Sequence, residues 1–156
     1  MILAIMITIL SVSDGHKHFS IPIEEYKKRT DKYLKHITIR PISHTNSEYI
    51  VVKETLAILE ALKKLKWKIY LLDERGKSLT TRAFAELIED ARNESDDLIF
   101  IIGGSYWVDL EVISEIKPTI IKISDFVLPH GLASLVLIEQ LYRAHEILKW
   151  SGYHHE

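Results

Sequence analysis

The stretch LIFIIGG, residues 98–104, sets five apolar residues in a row before two glycines. A run this short, bounded by a turn signal, reads as a strand buried on both faces. A half-exposed strand would alternate apolar with polar side chains. TIIKI at 119–123 is a second run of the same kind. Strands covered on both sides need helices above and below, and a parallel sheet provides them.

Helix-length segments do alternate with such runs on either side of LIFIIGG. Upstream, Thr80 can cap a helix with Phe84, Leu87, Ile88 and Ala91 inward. Residues 67–72 form a strand, and residues 73–76 a turn. Ser47 caps a long helix to about Lys66, with Val52, Leu56, Leu59, Leu62 and Leu65 at helical spacing. Residues 37–42 form a short strand closed by Pro41. Ser20 and Pro22 open a first helix that carries Ile23, Tyr26, Tyr33 and Leu34 on one face. The opening MILAIMITILSV lacks a basic n-region and a cleavage site, and is too short to span a bilayer. It reads as a buried first strand over residues 3–10. Downstream, a short helix over 108–116 stops at Pro118, a strand follows at 119–123, and a loop leads to a last helix over 132–150. The expectation is an α/β chain forming a single domain over residues 1–156.

Composition agrees. The 156 residues are 47% hydrophobic and 27% charged, a globular balance. Without cysteine there is no disulfide and no thiolate metal site, which fits a reducing cytoplasm. The histidines lack a helical His-x-x-x-His spacing, so no metal is expected, although His16, His18, His154, His155 and Glu156 could be considered as ligands. With a net charge of −2, the chain has no overall basic footprint for nucleic acid. Any RNA contact must come from local basic groups, pooled from two subunits if need be. The last helix, through LASLVLIEQLY, is apolar almost all round. Such a helix must be covered on most sides. Covering by a second copy, and so a homodimer, is favoured over tucking inside the chain.

In parallel α/β sheets ligands bind beyond the carboxyl ends of strands. Leu72-Asp73, Gly103-Gly104 and residues 123–130 occupy such ends. The glycine pair is either a plain strand-ending turn or a place where a ligand approaches the backbone. It belongs to neither a G-x-G-x-x-G nor a P-loop pattern, so phosphate cradling is not expected there. Phe126, Val127 and Leu128 could pack in the core, or they could receive an adenine ring and a thioether. Tyr153, His154 and His155 form an unusual tail, either frayed or able to stack on a base and move a proton. Arg143 either pairs with Glu139 four residues earlier or contacts a phosphate or base.

LLDERGKSLTTRAFAELI, LIFIIGGS, ISDFVLPH, LVLIEQLYRAHEI and YHHE occur in this order. Together they resemble the ribosomal RNA large-subunit methyltransferase H family, SPOUT-class enzymes that methylate N3 of a pseudouridine. The resemblance implies a Rossmann-like parallel sheet with a C-terminal trefoil knot, an obligate homodimer and a large-subunit ribosomal RNA substrate. It implies S-adenosyl-L-methionine (SAM) as cofactor, at Leu72, Gly103, Gly104, Ile123, Ser124, Asp125, Phe126, Val127 and Leu128. It further implies that His130, Arg143, Tyr153 and His154 face the RNA base across the dimer. The chain departs from the family at four places, one of them the length of the loop between the glycine pair and the fifth strand. Tyr106-Trp107 stand where a glycine is usual, Ser134 where an arginine is common, and His155 where the tail ends on a basic residue. A SPOUT enzyme acting on tRNA or another rRNA site, and a non-catalytic ribosome-binding module, are the alternatives.

Overall fold

A computed structural model describes residues 4–155. Leu3, the expected start of the first strand, and Glu156 lie outside the described residues.

Five parallel strands form one sheet in the order β2-β1-β4-β3-β5. They are β1 (Ile7–Val12), β2 (Leu34–Ile39), β3 (Lys68–Ser78), β4 (Leu98–Ile102) and β5 (Thr119–Lys122). The helices are α1 (Ser20–Thr30), α2 (Ser47–Leu62), α3 (Thr81–Glu94), α4 (Leu110–Ile113) and α5 (His130–Leu148). The expected parallel α/β sheet is therefore present. β4, the LIFIIGG strand, is buried along its whole length between β1 and β3. Its side chains feed two separate cores. Leu98, Phe100 and Ile102 face α1, α3 and α5, while Ile99 and Ile101 face α2 and α4.

Partners set the ends of the strands. β1 begins at Ile7 because Ile7 pairs with Leu34 on one side and Leu98 on the other. β2 starts three residues before the expected 37, because α1 stops at Thr30. The Thr30 hydroxyl turns back to the Tyr26 carbonyl at 2.8 Å, and the Tyr33 carbonyl accepts from Ile7 N–H at 3.0 Å. Tyr33 and Leu34 thus belong to the turn and strand, not to the helix face. Asn46 rather than Ser47 caps α2, its side chain accepting from Tyr49 N–H at 3.1 Å. Thr80 caps α3 as expected, accepting from Ala83 N–H at 3.1 Å.

Residues 73–76, expected as a turn, continue β3. The strand shifts its register against β5 between Leu72 and Lys77. There Gly76 lies so close to β5 that a Cβ would come within 2.6 Å of the Ile121 backbone. α5 begins at His130, two residues early, after Pro129. Its buried face, Leu137, Ile138, Leu141 and Ala144, packs between α1 and α3 on the sheet. Much of the helix is thus covered by its own chain, whereas Leu132 and Val136 keep open surface. No helix among the described residues is long and apolar enough to cross a membrane.

Candidate functional site

Because the strands are parallel, their carboxyl ends share one edge of the sheet. A cleft opens there where β3, β4 and β5 end. Its apolar wall comes from Leu72, Ile102, Ile123, Leu128 and Ala133. Phe126 and Val127 form its rim and are 83% and 68% exposed. Ser124 and His130 add polar groups, and Ser124 Oγ accepts from Phe126 N–H at 2.9 Å, which tightens the loop. Seven of the nine expected cofactor contacts thus gather at one cleft. Gly104 and Asp125 fall outside its lining, Asp125 pointing to solvent in a 2.7 Å ion pair with Lys122.

The glycine pair has an internal reason to be glycine. A Cβ on Gly103 would lie 2.9 Å from the Trp107 backbone carbon, and one on Gly104 would overlap the Glu54 carboxylate. Close packing within the chain accounts for both, as a strand-ending turn would require.

Asp73, Glu74, Lys122 and Trp107 also line the cleft. The sequence reading did not single out Glu74 or Lys122, although both flank strand ends, and noted Trp107 only as a departure from the family. Asp73 is buried, and burial alone would raise its carboxyl. Hydrogen bonds from Arg75, at 2.7 Å to each oxygen, outweigh that and hold it below the usual range. Both oxygens are committed to Arg75, so Asp73 fixes the chain rather than offering free charge.

A second cluster sits at the far end of α5. Arg143 donates to Glu139 from Nε at 2.9 Å and from Nη2 at 2.6 Å. Its Nη1 lies 3.2 Å from His154 Nδ1, and its guanidinium sits 4.9 Å from the centre of the Tyr153 ring. The Tyr153 hydroxyl donates to Glu139 at 3.2 Å and lies 3.3 Å from that of Tyr26. Tyr142 meets the Tyr153 ring edge-on at 4.8 Å, and Arg29 covers Tyr26 and Tyr142 at 5.1 and 5.5 Å. Burial, then the Tyr26 hydrogen bond and Glu139, push the Tyr153 hydroxyl well above its ordinary range. The Glu139 hydrogen bond raises Arg143 further. The i,i+4 pair and a base-facing cluster are therefore compatible: Glu139 orients Arg143 while the guanidinium covers Tyr153. The tail is tied down through side chains to α1 and α5. Sequence reading missed Tyr26, Tyr142 and Arg29, whose proximity depends on α1 packing against α5.

His130 is not part of this cluster. Thirteen residues of helix separate it from Arg143, roughly 20 Å at 1.5 Å per residue. Among the described residues no group of three His, Cys, Asp or Glu could hold a metal ion.

The fold and cleft define an open parallel α/β protein with an apolar cleft at the carboxyl ends of its strands. Comparison with known proteins narrows the class. Residues 5–154 match the family described as Predicted SPOUT methyltransferase. The Ribosomal RNA large subunit methyltransferase H of Ralstonia pickettii is 36% identical over 94% of this chain and 97% of that one. The protein of the same name from Mycoplasmopsis pulmonis is 32% identical over 95% and 98%. The solved Ribosomal RNA small subunit methyltransferase E of Neisseria gonorrhoeae, bound to S-adenosyl methionine, superposes with a TM-score of 0.50 at 14% identity. The alignment covers 92% of this chain and 66% of that one, a likeness of fold alone. The chain belongs to the ribosomal RNA large subunit methyltransferase H family of SPOUT methyltransferases.

Proposed function

We propose that this chain, as a single-domain homodimer in the cytoplasm, transfers the methyl group of SAM to N3 of a pseudouridine in large-subunit ribosomal RNA. The observation that carries this reading is the division of one constellation between the two ends of α5. An apolar strand-end cleft lies beside His130, and a tyrosine–arginine–histidine cluster lies roughly 20 Å away. Family membership supports the chemistry, the dimer and a trefoil knot in the C-terminal segment. Two-fold pairing places the tail of one copy against the cleft of the other, through the open surface left on α5.

The cleft residues suit a nucleoside carrying a thioether-like chain. Leu72, Ile123, Phe126 and Leu128 exclude water from it, and the exposed Phe126 closes over it. When bound, SAM supplies an electrophilic methyl group on a positive sulfur. The exposed carboxylate of Glu74 offers that charge a partner at the cleft wall. Tyr153 stacks on the base. Arg143 stabilises the negative charge that develops as N3 loses its proton, and His154 or His130 accepts that proton. Holding donor and acceptor in line contributes roughly 7–11 kcal/mol.

The test is to incubate the full chain with methyl-labelled SAM and either large-subunit particles or tRNA, then digest and map the labelled nucleoside. Label on a large-subunit pseudouridine is expected. Label on tRNA would overturn the substrate, and SAM binding without label would point to a non-catalytic module.

A further inference from the structure

A second cavity, of about 60 Å³, lies behind the first turn of α5. It sits where β1 and β2 end, on the α1 side of the sheet. Ser11, His16, Lys27, His36, Thr38 and Ser134 bring polar groups to its wall. They come from β1, the β1–α1 connection, α1, β2 and α5. The carboxylate on the lining, Glu24, is exposed and pairs with Lys27 at 3.0 Å.

Two features set this cavity apart from an ordinary packing gap. Among the described residues, His16 Nδ1 and His36 Nε2 are buried and find no hydrogen-bond partner. Leaving such an atom unpaired forfeits its hydration without a compensating bond. His16 is also held at φ 51°, a left-handed conformation that a non-glycine residue keeps only when its surroundings demand it. Its surroundings are specific: Nε2 lies 3.2 Å from Ser134 Oγ, and the ring lies 5.3 Å from that of His130.

The wall is rich in hydroxyls, imidazoles and one ammonium. That set suits an oxyanion, whose bonds to such donors are charge-assisted. The place suits a ligand as well, at the carboxyl ends of parallel strands. We infer that this cavity binds a phosphate-class oxyanion, held by His16, His36, Lys27 and the neighbouring hydroxyls. His16 forms the partition between this cavity and His130 of the cleft. The anion is therefore either a backbone phosphate of the RNA substrate or free phosphate. The RNA source rests on the function proposed above; the oxyanion site itself does not.

Electrostatics agree with the geometry. Burial, then Lys27, push the His36 imidazole down to about 4, against a smaller pull from Glu24. Burial, then His130, lower His16, with Asp14 opposing and Lys27 adding to the effect. Burial outweighs the acidic neighbour of each ring, and an oxyanion entering the cavity raises both.

The experiment follows side-chain imidazole NMR signals of the full chain, without SAM, as phosphate replaces chloride at constant ionic strength. Saturable shifts of His16 and His36 are expected, with His18, His44 and His155 unmoved. Lys27→Gln should weaken phosphate binding about tenfold. In a second arm, a large-subunit RNA fragment moving the same two signals, with phosphate competing, assigns the RNA backbone as source. Lys27→Gln should then lower the salt slope of RNA binding by about one. RNA that binds without moving these signals assigns free phosphate. If neither ligand shifts His16 or His36 in the wild-type chain, the inference is overturned. Because no arm reads methyl transfer, its failure is separate from failure of the proposed activity.

Discussion

The two ends of α5 are built differently. At its amino-terminal end the cleft has apolar walls, an exposed loop and few hydrogen bonds. At its carboxyl-terminal end, rings and charges of Tyr26, Tyr142, Tyr153, Arg143, Glu139 and His154 are joined by hydrogen bonds and stacking. The first end suits shape and burial, which a bulky nucleoside can use. The second suits direction, which an in-line transfer to one nitrogen needs. One rigid helix holds both and keeps them too far apart to serve one reaction within a single chain. Under the proposed function, the division of labour is therefore between subunits as well as between residues.

Substitutions at either end should separate binding from chemistry. The largest effect is expected for Arg143→Ala, with methyl transfer falling about 100-fold or more, as for loss of a charge-stabilising donor. SAM affinity from calorimetry should stay near wild type. A parallel fall in SAM affinity would dissolve the contrast between the ends. Phe126→Ala acts at the other end. Its ring is exposed in the free chain, so thermal stability should hold while SAM affinity drops about tenfold, near 1.4 kcal/mol. Tyr26→Phe sharpens the contrast further. It removes one hydroxyl from the tail cluster, worth about 0.5–1.5 kcal/mol, and should slow turnover a few-fold without touching SAM affinity.

A separate effect, on stability rather than turnover, concerns pH. His36 is held near 4 by burial, whereas the unfolded chain takes up the proton near 6.5. Between those values the unfolded state binds more protons, so stability falls as pH drops from about 6.5 towards 4. Melting curves across that window should show the decline, and His36→Gln should flatten it.

Much of the fold was legible in the chain. LIFIIGG announces its doubly covered strand, and Thr80 caps its helix as its position suggests, whereas TIIKI becomes an edge strand in which Ile121 alone of residues 119–122 is buried. Boundaries depended on partners instead. β2 starts at Leu34 because Ile7 pairs with it, and β3 runs through residues 73–76 because Gly76 fits against Ile121. Neither pairing leaves a local signal. The apolar cleft could be read from the loop at 123–128, since strand ends and apolar side chains both show in sequence. The tyrosine cluster could not, because Tyr26 and Tyr153 are 127 residues apart. The glycine pair has a packing reason with no local signal: its freedom from side chains makes room for Trp107 and Glu54, and Gly103 also lines the cleft.

Mixing two inactive variants tests the shared site most directly. One variant carries Arg143→Ala and the other Ile123→Asp, so each homodimer lacks one half of every site. After subunit exchange at equal amounts, half of the dimers are mixed, and each has one intact pairing of cleft and tail. Recovery of about a quarter of wild-type methyl transfer is expected from that statistic. A mixture as inactive as its components, with exchange verified by mass, would contradict a site shared between subunits.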